Sequence, residues 1–148
     1  MAFEFSLESV LRLRLSQERQ EQARLEIAAQ QVQLAQERCE AIKKEKLELD
    51  AKMLAALQAG MTSAELYFHR TSKAGLEWAE VEATQALEEA RMQWNEQRLK
   101  FLAARRDREL LSSIRERRHE AYVIEQNRRE QQQIDDLFAM RRNQNKIG

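Results

Sequence analysis

The side chains best suited to chemistry are few and scattered. His69 and His119 stand 50 residues apart, Cys39 is the one cysteine, and carboxylates such as Glu88-Glu89 fall in ordinary charged runs. There is no Gly-rich phosphate loop, no Cys-x-x-Cys, no His-Glu-x-x-His and no strand on which a nucleophile could be mounted. The sequence therefore predicts no catalytic residue, no metal site and no cofactor. The two histidines and the Glu pair read as solvated surface. Cys39 reads as a small apolar residue packed between helices. Two arginine-rich runs, Arg105-Arg106-Asp107-Arg108 and Arg115-Glu116-Arg117-Arg118, carry interleaved carboxylates in a chain of near-neutral pI. Phosphate attraction is weak under those conditions, so nucleic acid is not the expected partner. A mixed-sign polar face likewise argues against membrane binding.

The elements that carry these residues follow from what the chain lacks. Across 148 residues there is no Pro, and the glycines are at 60, 75 and 148. Compact domains spend Gly and Pro on frequent turns, so a sheet protein or a compact α/β enzyme is excluded. Apolar residues make up 43% of a chain with zero net charge, which argues against disorder. An all-α fold of long helices remains. No run of 18 uncharged apolar residues occurs, and Glu4 and Glu8 interrupt any signal-peptide pattern at the start. One cysteine suits a reducing compartment, and the expected location is cytoplasmic. Charge is uneven: residues 1–60 carry a net −1, 61–97 a net −4 and 98–148 a net +5.

A first helix is expected over about 6–59, capped by Ser6 and favoured by Glu8 in its first turn. From Leu25 it shows heptad spacing: Leu25, Val32, Cys39, Lys46 and Met53 on one series, Ala28, Ala35, Ile42, Leu49 and Ala56 on the other. Gly60 supplies a left-handed stop. Thr62-Ser63-Ala64-Glu65 then has capping-box spacing, with Met61 and Leu66 placed as a hydrophobic staple. A turn at 60–62 and a second helix over about 63–146 make an antiparallel coiled-coil hairpin, a single domain over 1–148. Leu87, Ala90, Trp94, Phe101 and Ala104 continue the seam, after which the apolar pattern predicts a shifted register through Leu110, Ile114, Ala121 and Ile124. Of Leu66, Tyr67 and Phe68, at least one must face outward; Trp78 is a further candidate anchor.

Length arithmetic separates the two arms. At 1.5 Å per residue the first helix would reach roughly 80 Å and the second roughly 125 Å. Ser6 is then expected opposite about residue 116, leaving the final 30 or so residues without a partner. That overhang holds Val123, Ile124, Ile134, Leu137, Phe138 and Met140, and a lone helix gains little from such groups in water. The opposing start of the first helix, Val10, Leu11, Leu13 and Leu15 with Arg12 and Arg14, is apolar on more than one face. Both ends that meet here look built to enter another molecule.

Two end segments carry a more specific likeness. The opening run from Met1-Ala2-Phe3-Glu4-Phe5 through Ser6-Leu7-Glu8-Ser9-Val10-Leu11-Arg12-Leu13-Arg14, and the segment from Asn127-Arg128-Arg129-Glu130-Gln131 to Ile134-Asp135-Asp136-Leu137-Phe138, resemble the FliJ family of bacterial flagellar type III export proteins. The Gly60–Glu65 turn falls where that family turns. The resemblance implies a non-enzymatic coiled coil similar to the central stalk of rotary ATPases. It implies insertion into the hexameric export ATPase FliI, contact with the export gate protein FlhA, and escort of export chaperones at the cytoplasmic side of the inner membrane, at the flagellar base. By position, the implied ring-facing residues are Val10, Leu11, Arg12, Leu13, Arg14, Glu125, Asn127, Arg128, Gln131, Gln132, Asp135, Asp136 and Phe138. The implied gate-facing residues are Cys39, Lys43, Lys46, Asp50, Ser72, Leu76, Ala79 and Ala83. A stalk protein of a virulence-type secretion system, or a passive scaffold, is the alternative reading.

Overall fold

The computed structural model describes residues 2–147. They form two helices, α1 (Glu8–Ala59) and α2 (Ser63–Ile147). Both are rich in Ala, Leu, Glu, Gln, Lys and Arg, which lose little on entering a helix, and neither contains a Pro. The turn between them is as the sequence predicts. Gly60 takes a φ of 96°, the left-handed conformation that closes α1 without a Cβ penalty. The Thr62 hydroxyl accepts the Glu65 amide at 3.3 Å and so caps α2.

The start of α1 departs from expectation. Ser6 does not open the helix: a turn precedes it, closed by the Glu8 amide on the Phe5 carbonyl at 3.1 Å, and α1 begins at Glu8. The Ser6 hydroxyl instead accepts a hydrogen bond from Arg118 at 2.9 Å.

The chain divides into two compact units, Arg19–Ala103 and Met1–Glu18 with Ala104–Gly148. In the first, α1 and α2 run antiparallel on either side of the turn. Asp50 pairs with Lys73, Lys46 with Glu80, and Glu21 with Gln97, the α2 number rising as the α1 number falls. Its centre is Cys39, Ile42 and Ala83, with Ala79 and Leu87 packed against them. Ala83 is the most enclosed of these, 1% exposed. Lys46, the cation on the predicted seam, lies at its edge with its ammonium 3.2 Å from Glu80. That hydrogen bond holds the Lys46 pKa above its ordinary 10.5, against the opposing effect of desolvation. The polar pairs also fix the alignment. A slip of one heptad would bring Glu80 to Asp50 and leave Lys46 opposite Leu87.

In the second unit the same antiparallel arrangement joins the start of α1 to α2, and here the predicted register shift is overturned. Leu110 and Ile124 are 62% and 68% exposed and Ala121 is exposed as well, and of the four expected positions only Ile114 is half-buried. The inward positions of this unit, Arg108, Arg115 and Tyr122, keep heptad spacing. Cations can occupy that line because each meets an acceptor across the interface. Arg108 donates two hydrogen bonds to Glu18, at 2.6 and 3.1 Å, and Arg115 donates to Glu8 at 3.1 Å. On the α1 side, Arg14 reaches Asp107 at 3.2 Å.

The Arg108–Glu18 fork is the best enclosed of these ion pairs, with side chains 26% and 15% exposed. Donation to Glu18 raises the Arg108 pKa, partial burial opposing it. Arg108→Leu removes both hydrogen bonds to Glu18, and thermal unfolding should show a loss of about 1–2 kcal/mol. Adding Glu18→Leu should recover most of that loss, since two apolar side chains suit the seam as well as the fork does. Failure of the double variant to recover would show that the fork holds the alignment rather than only satisfying charge.

Candidate protein interface

The N-terminal segment ends its contact with α2 in an aromatic clamp. Phe5 is buried, with the Arg118 guanidinium 5.5 Å from its ring centre. The Phe3 ring meets His119 edge-on at 5.0 Å and Tyr122 at 5.5 Å, and Arg115 sits 5.7 Å from it. The two arginines lie against electron-rich ring faces and the His119 contact is edge-on, while the Tyr122 ring is tilted by 49°. Chemical reasoning from the sequence missed this clamp. Its signal is the alternation Phe3-Glu4-Phe5 ahead of the helix, which puts both rings on one side of an extended segment.

Beyond the clamp, α2 continues uncovered. Every residue from 127 to 147 is exposed, and among the described residues the hydrogen bonds and ion pairs there are local to the helix. Ile134, Leu137, Phe138 and Met140 lie 47–67% exposed on this stretch. Glu125 braces its base, accepting from Arg128 at 3.1 Å and from Arg129 at 3.3 Å. The Arg128 hydrogen bond is the main cause that holds the Glu125 carboxyl below its ordinary 4.5. Its contribution to helical order is therefore complete above pH 4.5 and fades as the pH falls through the depressed value. Acidification from neutrality to about pH 3 should reduce the far-ultraviolet helical signal by more in the native chain than in Glu125→Gln. Equal losses in the two would remove the brace.

The remaining implied ring-facing residues divide in two. Val10, Arg12, Leu13, Asn127, Arg128, Gln131, Gln132, Asp135, Asp136 and Phe138 present exposed side chains. Leu11 is 6% exposed and Arg14 is tied to Asp107, so both serve the helix pairing. Among the implied gate-facing residues, Cys39 and Ala83 lie in the core, and Ser72, Leu76 and Ala79 are half-buried. Lys46 and Asp50 are engaged with Glu80 and Lys73, and Lys43 is exposed. Tyr67, Phe68 and Trp78 all face outward, 68–74% exposed, whereas Trp94 and Phe101 are half-buried on the seam, as expected of core residues.

Paired helices, a core of a few small and medium side chains and an apolar stretch left bare define an all-α protein with an exposed apolar surface. No helix is long and apolar enough to cross a membrane. Residues 3–147 match the family model described as flagellar FliJ protein, and the chain belongs to the FliJ family, whose members are components of flagellar protein export. No curated protein and no solved structure gives a significant match.

Proposed function

We propose that this chain binds the hexameric export ATPase FliI through the bare end of α2 and raises its rate of hydrolysis. The observation that carries the reading is the uncovered helix from 127 to 147 with its exposed Ile134, Leu137, Phe138 and Met140. A single helix gains order and buries such groups only inside a larger assembly. A ring of repeated subunits offers that enclosure, and a ligand bound by the assembled ring favours assembly by mass action. Asn127, Arg128, Gln131, Gln132, Asp135 and Asp136 supply the polar rim, with Val10, Arg12 and Leu13 beside them. Leu11, Arg14 and Glu125 position this surface rather than touch the ring.

Contact with the export gate protein FlhA requires exposed groups. Lys43 on α1, with Trp78 and Val81 on the outward side of α2, offers them in the middle of the chain. Escort of export chaperones would use the same kind of exposed apolar surface. The chain would then work on the cytoplasmic side of the inner membrane, held there by the export apparatus. The direct test is the hydrolysis rate of the purified cognate ATPase with and without this chain. Acceleration supports the reading, and no change overturns it in favour of a passive scaffold.

A further inference from the structure

Residues 135–142 read Asp-Asp-Leu-Phe-Ala-Met-Arg-Arg. All eight are exposed on the uncovered part of α2. Among the described residues, none of Asp135, Asp136, Arg141 and Arg142 has an ion pair, and Asp135 only accepts a hydrogen bond from Gln131 at 3.2 Å. Asp135 and Arg142 are seven residues apart, about 10 Å along the axis, too far to satisfy each other within one helix. Read in the opposite direction, however, the order of charges is its own complement.

We infer that this segment is an isologous interface that takes a second copy of the same chain. In an antiparallel pair with its two-fold axis between positions 138 and 139, Asp135 lies level with Arg142 of the second copy, and the symmetry makes that pairing twice, while Asp136 sits on the opposite side of the helix. Leu137 lies level with Met140, and Phe138 with Ala139. Ile134, Leu137 and Phe138 are spaced three and four apart, so they share one face and close on the same face of the second copy. That register also brings the Arg141 guanidinium toward the second copy's Phe138 ring, a favoured cation–aromatic pairing. A parallel arrangement sets Asp against Asp and Arg against Arg, which the charges oppose.

The inference does not depend on the ATPase reading, but it has a consequence for it. The dimer covers Ile134, Leu137 and Phe138, the groups proposed to enter the ring, so the paired form is a store of chain that cannot act until it separates.

Sedimentation velocity over a concentration series tests this with the full chain. The native protein should move from 17.5 kDa toward twice that mass as concentration rises, and added salt should weaken the association. Asp135→Arg/Asp136→Arg gives an all-positive segment and Arg141→Asp/Arg142→Asp an all-negative one. Each alone should stay monomeric, and an equimolar mixture should regain the dimer. Unchanged circular dichroism would show that both variants keep their helices. A native chain that stays monomeric throughout, or variants that associate as the native chain does, overturns the inference. None of these outcomes involves the ATPase, so failure here leaves the proposed function standing, and the reverse also holds.

Discussion

A chain ended after residue 124 keeps its paired helices and loses its action on the export ATPase. The deleted stretch contributes no cross-helix hydrogen bond or ion pair among the described residues, and it is exposed throughout from residue 127. The Asp50–Lys73 pair in one unit, and the Ser6–Arg118 and Phe3–Tyr122 contacts in the other, remain. Helical signal should fall only by the share of residues removed, and the unfolding midpoint should move by a few degrees at most. Stimulation of hydrolysis should fall by at least about tenfold, since central apolar anchors of an interface each carry about 2 kcal/mol or more. Leu137→Asp/Phe138→Asp, made in the full-length chain, should do the same without shortening α2. Full stimulation by either variant would send the ATPase contact elsewhere.

The second large effect belongs to the fold. Ala83 is 1% exposed between Cys39 and Ile42, with no polar group of its own to receive a partner. Ala83→Asp places a carboxylate there without a counter-charge, and such a group costs about 3 kcal/mol or more in a helix pair with so small a core. Thermal melts followed by circular dichroism should show a lower midpoint and a broader transition. Val81→Asp, two residues away but 52% exposed, should stay within about 0.5 kcal/mol of the native chain. If the two variants behave alike, the α1–α2 contact at this level is not the one described.

The contrast between those two neighbours shows where sequence was informative. Gly60, Thr62 and Glu65 announce the turn by local chemistry alone, and the structure places a positive φ and a cap at those positions. The apolar heptads from Leu25 to Ala56 are equally local, because each residue's neighbours three and four positions away share its face. Past Ala104 that logic fails. Leu110 and Ile124 draw the pattern off the seam, while the inward positions belong to Arg108 and Arg115. An arginine on a seam is acceptable only when an acceptor faces it, and Glu18 and Glu8 lie 90 and 107 residues away in sequence. That information is in no local window.

The interaction surface divides in the same way. Counting residues on either side of the turn was enough to find the unpartnered end of α2. Sorting Leu11 and Arg14 from Val10, Arg12 and Leu13 was not possible without knowing which side of α1 meets α2. The clamp of Phe3 and Phe5 sets that side, and it acts outside the helix, where periodicity says nothing.

The clamp also orders events during synthesis. Lys46 finds Glu80 only 34 residues later, whereas Ser6 must wait 112 residues for Arg118. Loop closure favours the nearer pair, so the arms zip outward from Gly60 as the chain leaves the ribosome. Throughout that interval Phe3, Phe5 and Leu11 have no cover, so that segment exposes apolar surface until Arg118 and Tyr122 have been made.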